Sequence, residues 1–117
     1  MAAPTIDFLR GTLDLLILKT LSWGPSHGYA VARWIEQCTD DAFAVEEGSL
    51  YPALYRLEEQ GLIRADWGIT DNKRRAKFYR LTAAGKKQLK SSQEYWQRYT
   101  GAVSKLLVTM PALTGRA

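Results

Sequence analysis

The sequence predicts a mainly helical α+β fold in which three helices and a β-hairpin precede one long C-terminal helix. Three observations lead to this prediction. Two early segments carry apolar residues at helical spacing, a basic turn separates two strand-like runs, and the last third repeats apolar residues every seven positions. At 117 residues the chain has the size of one domain with a single core.

Composition and charge favour a soluble globular chain with a polyanionic partner. The chain is 46% hydrophobic and 24% charged, and its net charge is +4. Residues 1–61 carry 4 Lys/Arg against 9 Asp/Glu, whereas residues 62–117 carry 12 against 3, which predicts one face that meets a polyanion. No apolar run approaches the roughly 20 residues of a membrane span. The single cysteine, Cys38, fits a reducing cytoplasm, so we expect a cytoplasmic protein without a membrane partner.

The first two helices are predicted from their apolar spacing and from the breaker between them. Residues 6–21 contain more apolar side chains than one stripe of a surface helix absorbs, so this helix should be covered on two sides. The sequence Trp-Gly-Pro at 23–25 ends it. Ser26 is expected to cap a second helix that runs to about Thr39. The side chains expected inside are Val31, Trp34 or Ile35, and Cys38, whose thiol should be buried.

A short strand at 42–45 and a third helix are expected next. Ser49 is predicted to be the N-cap, which makes Pro52 the third helical residue, where its missing N–H needs no acceptor. Gly61 supplies the C-terminal stop. The core side chains are predicted to be Leu50, Leu54 and Leu57, and the outward face is predicted to be Ser49, Pro52, Ala53 and Arg56, flanked by Tyr51 and Tyr55.

Residues 62–69 and 77–81 read as two strands joined by a polar turn. Four cations, Lys73, Arg74, Arg75 and Lys77, lie at that turn. A hairpin with a basic tip has the form of a wing that lies along a phosphate backbone and releases counterions. The alternative, an ordinary solvated hairpin tip, is left open by this segment alone.

The last helix is predicted to begin after Thr82 and to reach Met110, before Pro111. A heptad seam on a terminal helix favours pairing with another helix, although packing back onto its own domain is the alternative. The two positions of the seam hold Leu89, Trp96, Val103 and Met110, and Ser92, Tyr99 and Leu106.

The sequence offers no constellation that predicts an enzyme. Glycines 24 and 28 follow a helix without a P-loop lysine, and the paired carboxylates are adjacent in sequence, where side chains diverge. One histidine and one cysteine make a metal site of the usual kind hard to assemble. We therefore expect no catalytic residues, no metal and no cofactor.

The chain resembles the PadR family of bacterial winged-helix transcriptional regulators over about residues 10–110, and it is similar to the subgroup with a single C-terminal helix. The motifs are highly specific together and weak singly. They are GTLDLLIL at 11–18, HGY at 27–29, GSLYPALYRLE at 48–58 and RRAKFYRLT at 74–82.

The resemblance implies a homodimeric repressor that binds double-stranded DNA and is released by an effector. A winged helix-turn-helix domain would span residues 1–82, and a dimerisation helix with its tail would span residues 83–117. The helix near Ser49 would be the recognition helix, and the last helix would swap against the partner's first helix. Trp96 matches a tryptophan that lines a drug pocket in a similar member, so Trp96 and Tyr99 form a candidate pocket for a planar aromatic effector.

These interpretations give two sets of candidate site residues for a dimer on a pseudo-palindromic operator. Arg56 has the fork that pairs with guanine, and the start of the second helix is a further phosphate site. A small-molecule sensor and a protein-interaction module without operator binding are the alternatives. The DNA-binding candidates are Ser26, His27, Tyr29, Ser49, Tyr51, Pro52, Ala53, Tyr55, Arg56, Lys73, Arg74, Arg75 and Lys77. The dimer-interface candidates are Leu13, Ile17, Leu89, Trp96, Tyr99, Val103, Leu106 and Met110.

Overall fold

Four helices and a three-stranded sheet make up residues 6–110, which are the residues that the computed structural model describes, with side chains from residue 11 onward. The predicted α+β fold is confirmed. In chain order the elements are α1 (Ile6–Leu21), β1 (Ser26–His27), α2 (Gly28–Cys38), α3 (Glu47–Glu59), β2 (Ile63–Ile69), β3 (Arg75–Leu81) and α4 (Ala83–Val108).

Helix α1 supplies much of the core because it packs against α2, α3, α4 and β3. Ile17 and Leu18 are fully buried, which confirms that this helix is covered on more than one side. Burial of each such side chain contributes roughly 1.5–3 kcal/mol. The core also contains Val31, Ile35, Leu50, Leu54, Leu57, Ile63, Tyr79 and Leu81.

The sheet has the order β1-β3-β2, and both pairings are antiparallel. Strands β2 and β3 pair from Ile63 with Leu81 to Ile69 with Arg75. The short strand predicted at 42–45 is wrong, because the two-residue strand is Ser26–His27, which pairs with Tyr79 and Phe78. A strand this short exists only through a partner that lies far away in sequence.

Two helix starts differ from the prediction. His27, and not Ser26, is the N-cap of α2, and its Nδ1 accepts a hydrogen bond from the Ala30 N–H at 3.3 Å. Helix α3 begins at Glu47 after Glu46, so Pro52 lies inside the helix and Ser49 is not the cap. The end of α3 is as predicted. Gly61 has φ +74°, and the Leu62 N–H donates to the Leu57 carbonyl at 3.0 Å, which is the Schellman pattern.

Helix α4 is anchored only at its base. The Thr82 hydroxyl accepts from the Gly85 N–H at 3.0 Å and donates to the Gly61 carbonyl at 2.7 Å. Gly85 lies so close to the Leu62 carbonyl that a Cβ there would be 2.0 Å from its oxygen. From residue 90 to residue 110 no side chain is buried in the described chain. The helix therefore projects from the domain, and the long dimension is 67 Å.

Candidate nucleic-acid interface

The basic hairpin tip is a three-residue loop closed by backbone hydrogen bonds. The Thr70 N–H donates to the Arg74 carbonyl and the Lys73 N–H donates to the Thr70 carbonyl, both at 2.8 Å. Lys73 has φ +60°, the left-handed conformation that follows a type I turn in such loops. The turn thus fixes the backbone while the side chains of Lys73, Arg74, Arg75 and Lys77 remain exposed.

The strand register places two of these cations on one face of the hairpin. Trp67 pairs with Lys77 and Ile69 pairs with Arg75, and successive side chains alternate between faces. The Arg75 guanidinium lies over the Trp67 ring, with Cζ 4.5 Å from the ring centroid. A cation above an indole is attracted by the ring's quadrupole, so the contact restrains Arg75.

The exposed stripe of α3 differs from the predicted one. Gly48, Pro52, Tyr55 and Glu59 share it, with Tyr51 at its edge. Ala53 is a correction, because it is 0% exposed in the core beside Leu54 and cannot face a groove. Ser49 is half-buried. The stripe lies opposite Leu50, Leu54 and Leu57, and the spacing of these leucines could have predicted which residues face outward.

Arg56 also departs from the predicted outward face. Its Nη2 donates to Asp14 Oδ1 of α1 at 2.7 Å, and both side chains are about three-quarters buried. A guanidinium held in this way links α3 to α1. Its geometry fits a positioning role better than the direct reading of a guanine.

The start of α2 lies next to α3. A Cβ at Gly28 would lie 3.1 Å from the Tyr51 ring, closer than most such contacts, so glycine eases this approach. The His27 ring stacks with Tyr29 at a centroid distance of 6.4 Å and meets Phe78 edge-on at 5.4 Å. Tyr29 is exposed, and Ser26 and His27 are half-buried. The structure therefore brings the start of α2 and α3 together.

A buried phenol connects α3 with the hairpin. Tyr79 is buried, and its pKa is raised above the ordinary value of 10.0, first by burial and then by the nearby Glu58 carboxylate and Tyr51. The neutral phenol is therefore favoured. Tyr79 also belongs to the same core cluster as Leu54 and Leu57, so the β3 face that carries it packs toward α3.

Three predicted interface residues belong to the core of the protomer. Leu13, Ile17 and Leu89 are buried in the described chain, so the prediction that they lie at a dimer interface is wrong. A heptad position does not reveal whether the same chain or a partner covers it. The seam residues that remain exposed are Trp96, Tyr99, Val103 and Leu106 on α4, and Met110 just beyond its end.

A groove of about 600 Å³ runs between α1 and α4. Gly11 and Leu15 line one side. The α4 side is lined by the polar Gln88, Ser91 and Ser92 and by the aromatic Tyr95, Trp96 and Tyr99. The rings of Trp96 and Tyr99 lie 6.4 Å apart at an angle of 36°. The groove therefore combines an aromatic cluster with a polar stretch of α4.

Metal-ligating clusters and membrane spans are absent from the part of the chain that the structure describes. Within residues 6–110, no group of three or more His, Cys, Asp or Glu side chains could hold a metal ion. No described helix is both long and apolar enough to cross a membrane. Cys38 is exposed, so the prediction of a buried thiol is wrong.

Helices α1, α2 and α3 pack together with a small sheet, and the basic hairpin lies beside the exposed stripe of α3. This is the winged-helix fold, which is typical of transcription regulators. Comparison with known proteins gives the family. The profile of the Transcriptional regulator PadR-like family matches residues 17–91. The chain is 33% identical over 84 residues to transcriptional regulator Rv3488 of Mycobacterium tuberculosis, spanning 71% of this chain and 74% of that protein.

Solved structures agree in fold. A transcriptional regulator from Clostridium thermocellum matches with a TM-score of 0.76 and 35% identity, over 85% of this chain and 96% of that one. A PadR-like transcriptional regulator from Bacillus cereus matches with a TM-score of 0.77 and 28% identity, over 89% of this chain and 99% of that one. The protein belongs to the PadR family of transcriptional regulators.

Proposed function

We propose that the protein is a homodimeric repressor that binds a pseudo-palindromic operator and is released from it by a small planar effector. The observation that carries this proposal is that one chain has two exposed surfaces of different chemistry. A cationic hairpin lies beside α3, and an apolar stripe runs along α4. The first suits a polyanion, and the second suits a copy of the same helix.

The DNA surface would consist of α3, the hairpin and the start of α2. The stripe of Pro52 and Tyr55, with Tyr51 at its edge, would enter the major groove, while the hairpin cations contact phosphates. His27 and Tyr29 would add a phosphate contact at the N-terminus of α2. In a two-fold dimer the two α3 helices would meet successive major grooves, about one helical turn apart.

The dimer would form through residues 83–117, leaving residues 1–82 as the DNA-binding domain. Val103 and Leu106 are exposed on the described part of α4, and Leu106 is 77% exposed. Burying the apolar side chains of this stripe away from water would lower the free energy of the protein. A partner's α4 packed against this stripe, and reaching the α1 helix, would cover it.

The effector site would be the groove between α1 and α4, completed by the partner. Stacked or tilted rings such as Tyr95, Trp96 and Tyr99 suit a planar aromatic compound. Such a compound would release the operator only if it binds one dimer geometry better than the other. The competing role for Trp96 is to fill the interface.

Operator binding is tested by footprinting on the DNA upstream of the protein's own gene, followed by salt titration. Arg74→Ala with Arg75→Ala should weaken binding to every duplex and flatten the salt dependence by roughly 1 to 2 units per half-site. If this double variant binds like the wild type at all salt concentrations, the hairpin does not contact phosphates. A wild type that binds no duplex would point to a sensor or a protein-interaction module.

The effector role is tested by titrating planar aromatic compounds against tryptophan fluorescence. Wild type and Trp96→Ala are compared, first alone and then with operator. The variant is essential because Trp23, Trp34 and Trp67 also emit. Quenching that persists in Trp96→Ala, or binding that never alters operator affinity, would leave Trp96 as an interface residue.

A further inference from the structure

Two large apolar side chains lie exposed near the tip of the hairpin. Trp67 is 58% exposed and Ile69 is 67% exposed. Both are on the same face of β2, and the residues paired with them on β3 are Lys77 and Arg75. Neither apolar side chain has a packing role in the core cluster. An apolar patch that the fold does not use is a mark of a binding surface.

The charge on this face indicates the kind of partner. Toward the tip, from residue 67 to 69 and from 75 to 77, the ionisable side chains on the face of Trp67 are Arg75 and Lys77, without a carboxylate. The opposite face of the same hairpin carries Asp66, whose carboxylate accepts from Arg80 Nε at 3.4 Å. The face of Trp67 thus combines apolar area with unbalanced positive charge, and it suits a partner that is apolar and anionic at once.

The position of this face relative to α3 favours a duplex over other anions. Tyr79 is on the same face of β3 as Lys77 and Arg75, because alternate residues share a face. Ile63 and Tyr79 on this face are buried in the same core cluster as Leu54 of α3, and α3 packs against β2. The face of Trp67 therefore continues from the surface that α3 presents, and DNA seated on α3 would pass along it.

We propose that Trp67, Ile69, Arg75 and Lys77 bind the sugar–phosphate wall of the minor groove that flanks each half-site. This inference rests on the proposed operator binding and adds an apolar contact to it. Trp67 and Ile69 lie against deoxyribose, while Arg75 and Lys77 contact the phosphates on either side. The contact between Arg75 and the indole restrains the guanidinium before DNA binds, so less rotamer freedom is lost on binding.

The two kinds of contact respond differently to salt. Contacts to phosphate release counterions, so they set the slope of log K against log salt concentration. Apolar contact with a sugar releases no counterion, and its contribution is present at every salt concentration. Removing an apolar contact should therefore lower the affinity without changing the salt slope. Removing a cation that contacts phosphate should change both.

The experiment measures binding of the footprinted duplex across salt for variants that keep strand propensity. Trp67→Thr and Ile69→Thr place a β-branched residue at exposed sites, so the hairpin should survive, and circular dichroism checks this. Trp67→Thr should weaken binding about tenfold at each salt concentration with the wild-type slope, because apolar area no longer leaves water on binding. Ile69→Thr should cost roughly threefold in the same manner.

A matched pair of cations identifies the face that meets DNA. Lys77→Ala, on the face of Trp67, should lower the salt slope by roughly 0.9 for each phosphate that the side chain neutralises in the wild type. Arg64→Ala, exposed on the opposite face of the same hairpin, should leave both slope and affinity unchanged. If Arg64→Ala lowers the slope and Lys77→Ala does not, the opposite face meets the duplex and the inference is overturned.

Fluorescence provides a second readout. Saturating duplex should protect wild-type tryptophan from acrylamide, and Trp67→Phe should lose part of that protection while its unfolding temperature stays near the wild-type value. Unchanged affinity of Trp67→Thr, or a change confined to the slope, would mean that Trp67 only supports Arg75. Loss of binding to phosphatidylglycerol vesicles with full DNA affinity would assign the face to a membrane instead. A wild type that binds no duplex would refute the proposed function itself.

Discussion

Helices α3 and α4 both leave large side chains in contact with solvent, but the chemistry of the two exposed faces differs. Helix α3 exposes Tyr55 and, at its edge, Tyr51, whose rings end in hydroxyl groups. Helix α4 exposes Tyr95 and Tyr99 near its middle, but toward its end it exposes Val103 and Leu106, which have no hydrogen-bonding group. A phenol can pack against a hydrated, charged partner and also donate a hydrogen bond to it. An aliphatic stripe is stabilised only when a partner removes it from water. The two faces therefore suit DNA and protein respectively.

The two helices also differ in what fixes them. Helix α3 is held in the protomer by Leu50, Leu54 and Leu57, all of which are buried. Helix α4 is held by Gly85 and Leu89 near its start, and the rest of its described length has no buried side chain. The orientation of α3 within a protomer is thus set by its own chain. The spacing between two α3 helices would be set by how the two α4 helices pair.

The largest effect is expected on α4. Glutamate at both Val103 and Leu106 would place two charges in an apolar interface, at a cost of several kcal/mol, as an order of magnitude. Sedimentation should then show a monomer or unfolded chain. The matched control is Gln97→Glu with Ser104→Glu, which adds the same charge away from the stripe and should leave the dimer intact. A wild type that is monomeric at micromolar concentration would refute the proposed dimer.

Much of this contrast could be predicted from sequence, because local patterns decide it. The bounds of α1, the cap of α4 at Thr82 and the stop at Gly61 follow from spacing and capping chemistry, and the structure confirms each of them. The hairpin followed in the same way from its two apolar runs and polar turn. These features depend on residues within a few positions of one another.

Two of the errors involve a partner that the local sequence does not show. Leu89 fits a heptad seam, yet α1 and the sheet cover it within the protomer. Arg56 seemed free to face a groove, yet Asp14, which is 42 positions away, holds it. Ala53 is a different error, because the leucine spacing of α3 already places it on the side of Leu50 and Leu54. Long-range pairing is decided by packing and not by spacing.

The ion pair between Asp14 and Arg56 gives the next largest effect. Asp14→Ala, Arg56→Ala and the double variant should each lower the free energy of unfolding by roughly 1 kcal/mol, and their effects should not add. All three should weaken binding to every operator sequence to a similar degree, because α3 loses a positioning contact with α1.

Base discrimination separates this role from direct readout. If Arg56 reads a guanine, Arg56→Ala should lose about 1–3 kcal/mol of discrimination at one base pair while Asp14→Ala keeps it. Equal behaviour of the two single variants on a panel of operators with single base changes supports positioning. Unequal behaviour would return Arg56 to the base-reading surface.

A smaller effect tests the hydroxyl groups on α3. Tyr55→Phe keeps the ring and removes one hydrogen-bonding group, so operator affinity should fall by about 1 kcal/mol or less. Tyr95→Phe removes the same group from an exposed position on α4 and should leave operator affinity unchanged. Equal losses in both variants would mean that the two faces do not divide the recognition of DNA and protein.

The smallest effect is a change in stability at alkaline pH, and it concerns the buried Tyr79. Burial raises the pKa of Tyr79, with Glu58 and Tyr51 adding to the rise. The folded pKa lies above the unfolded value of about 10, so the stabilisation is complete below pH 10 and is lost as pH rises from there through the folded pKa. Urea unfolding should show that Tyr79→Phe loses less stability than the wild type as the pH rises above about 10. Tyr95→Phe, exposed on α4, should follow the wild type. If Tyr79→Phe and the wild type lose stability in parallel, ionisation of Tyr79 does not contribute to the loss. The difference between α3 and α4 then lies only in their exposed faces.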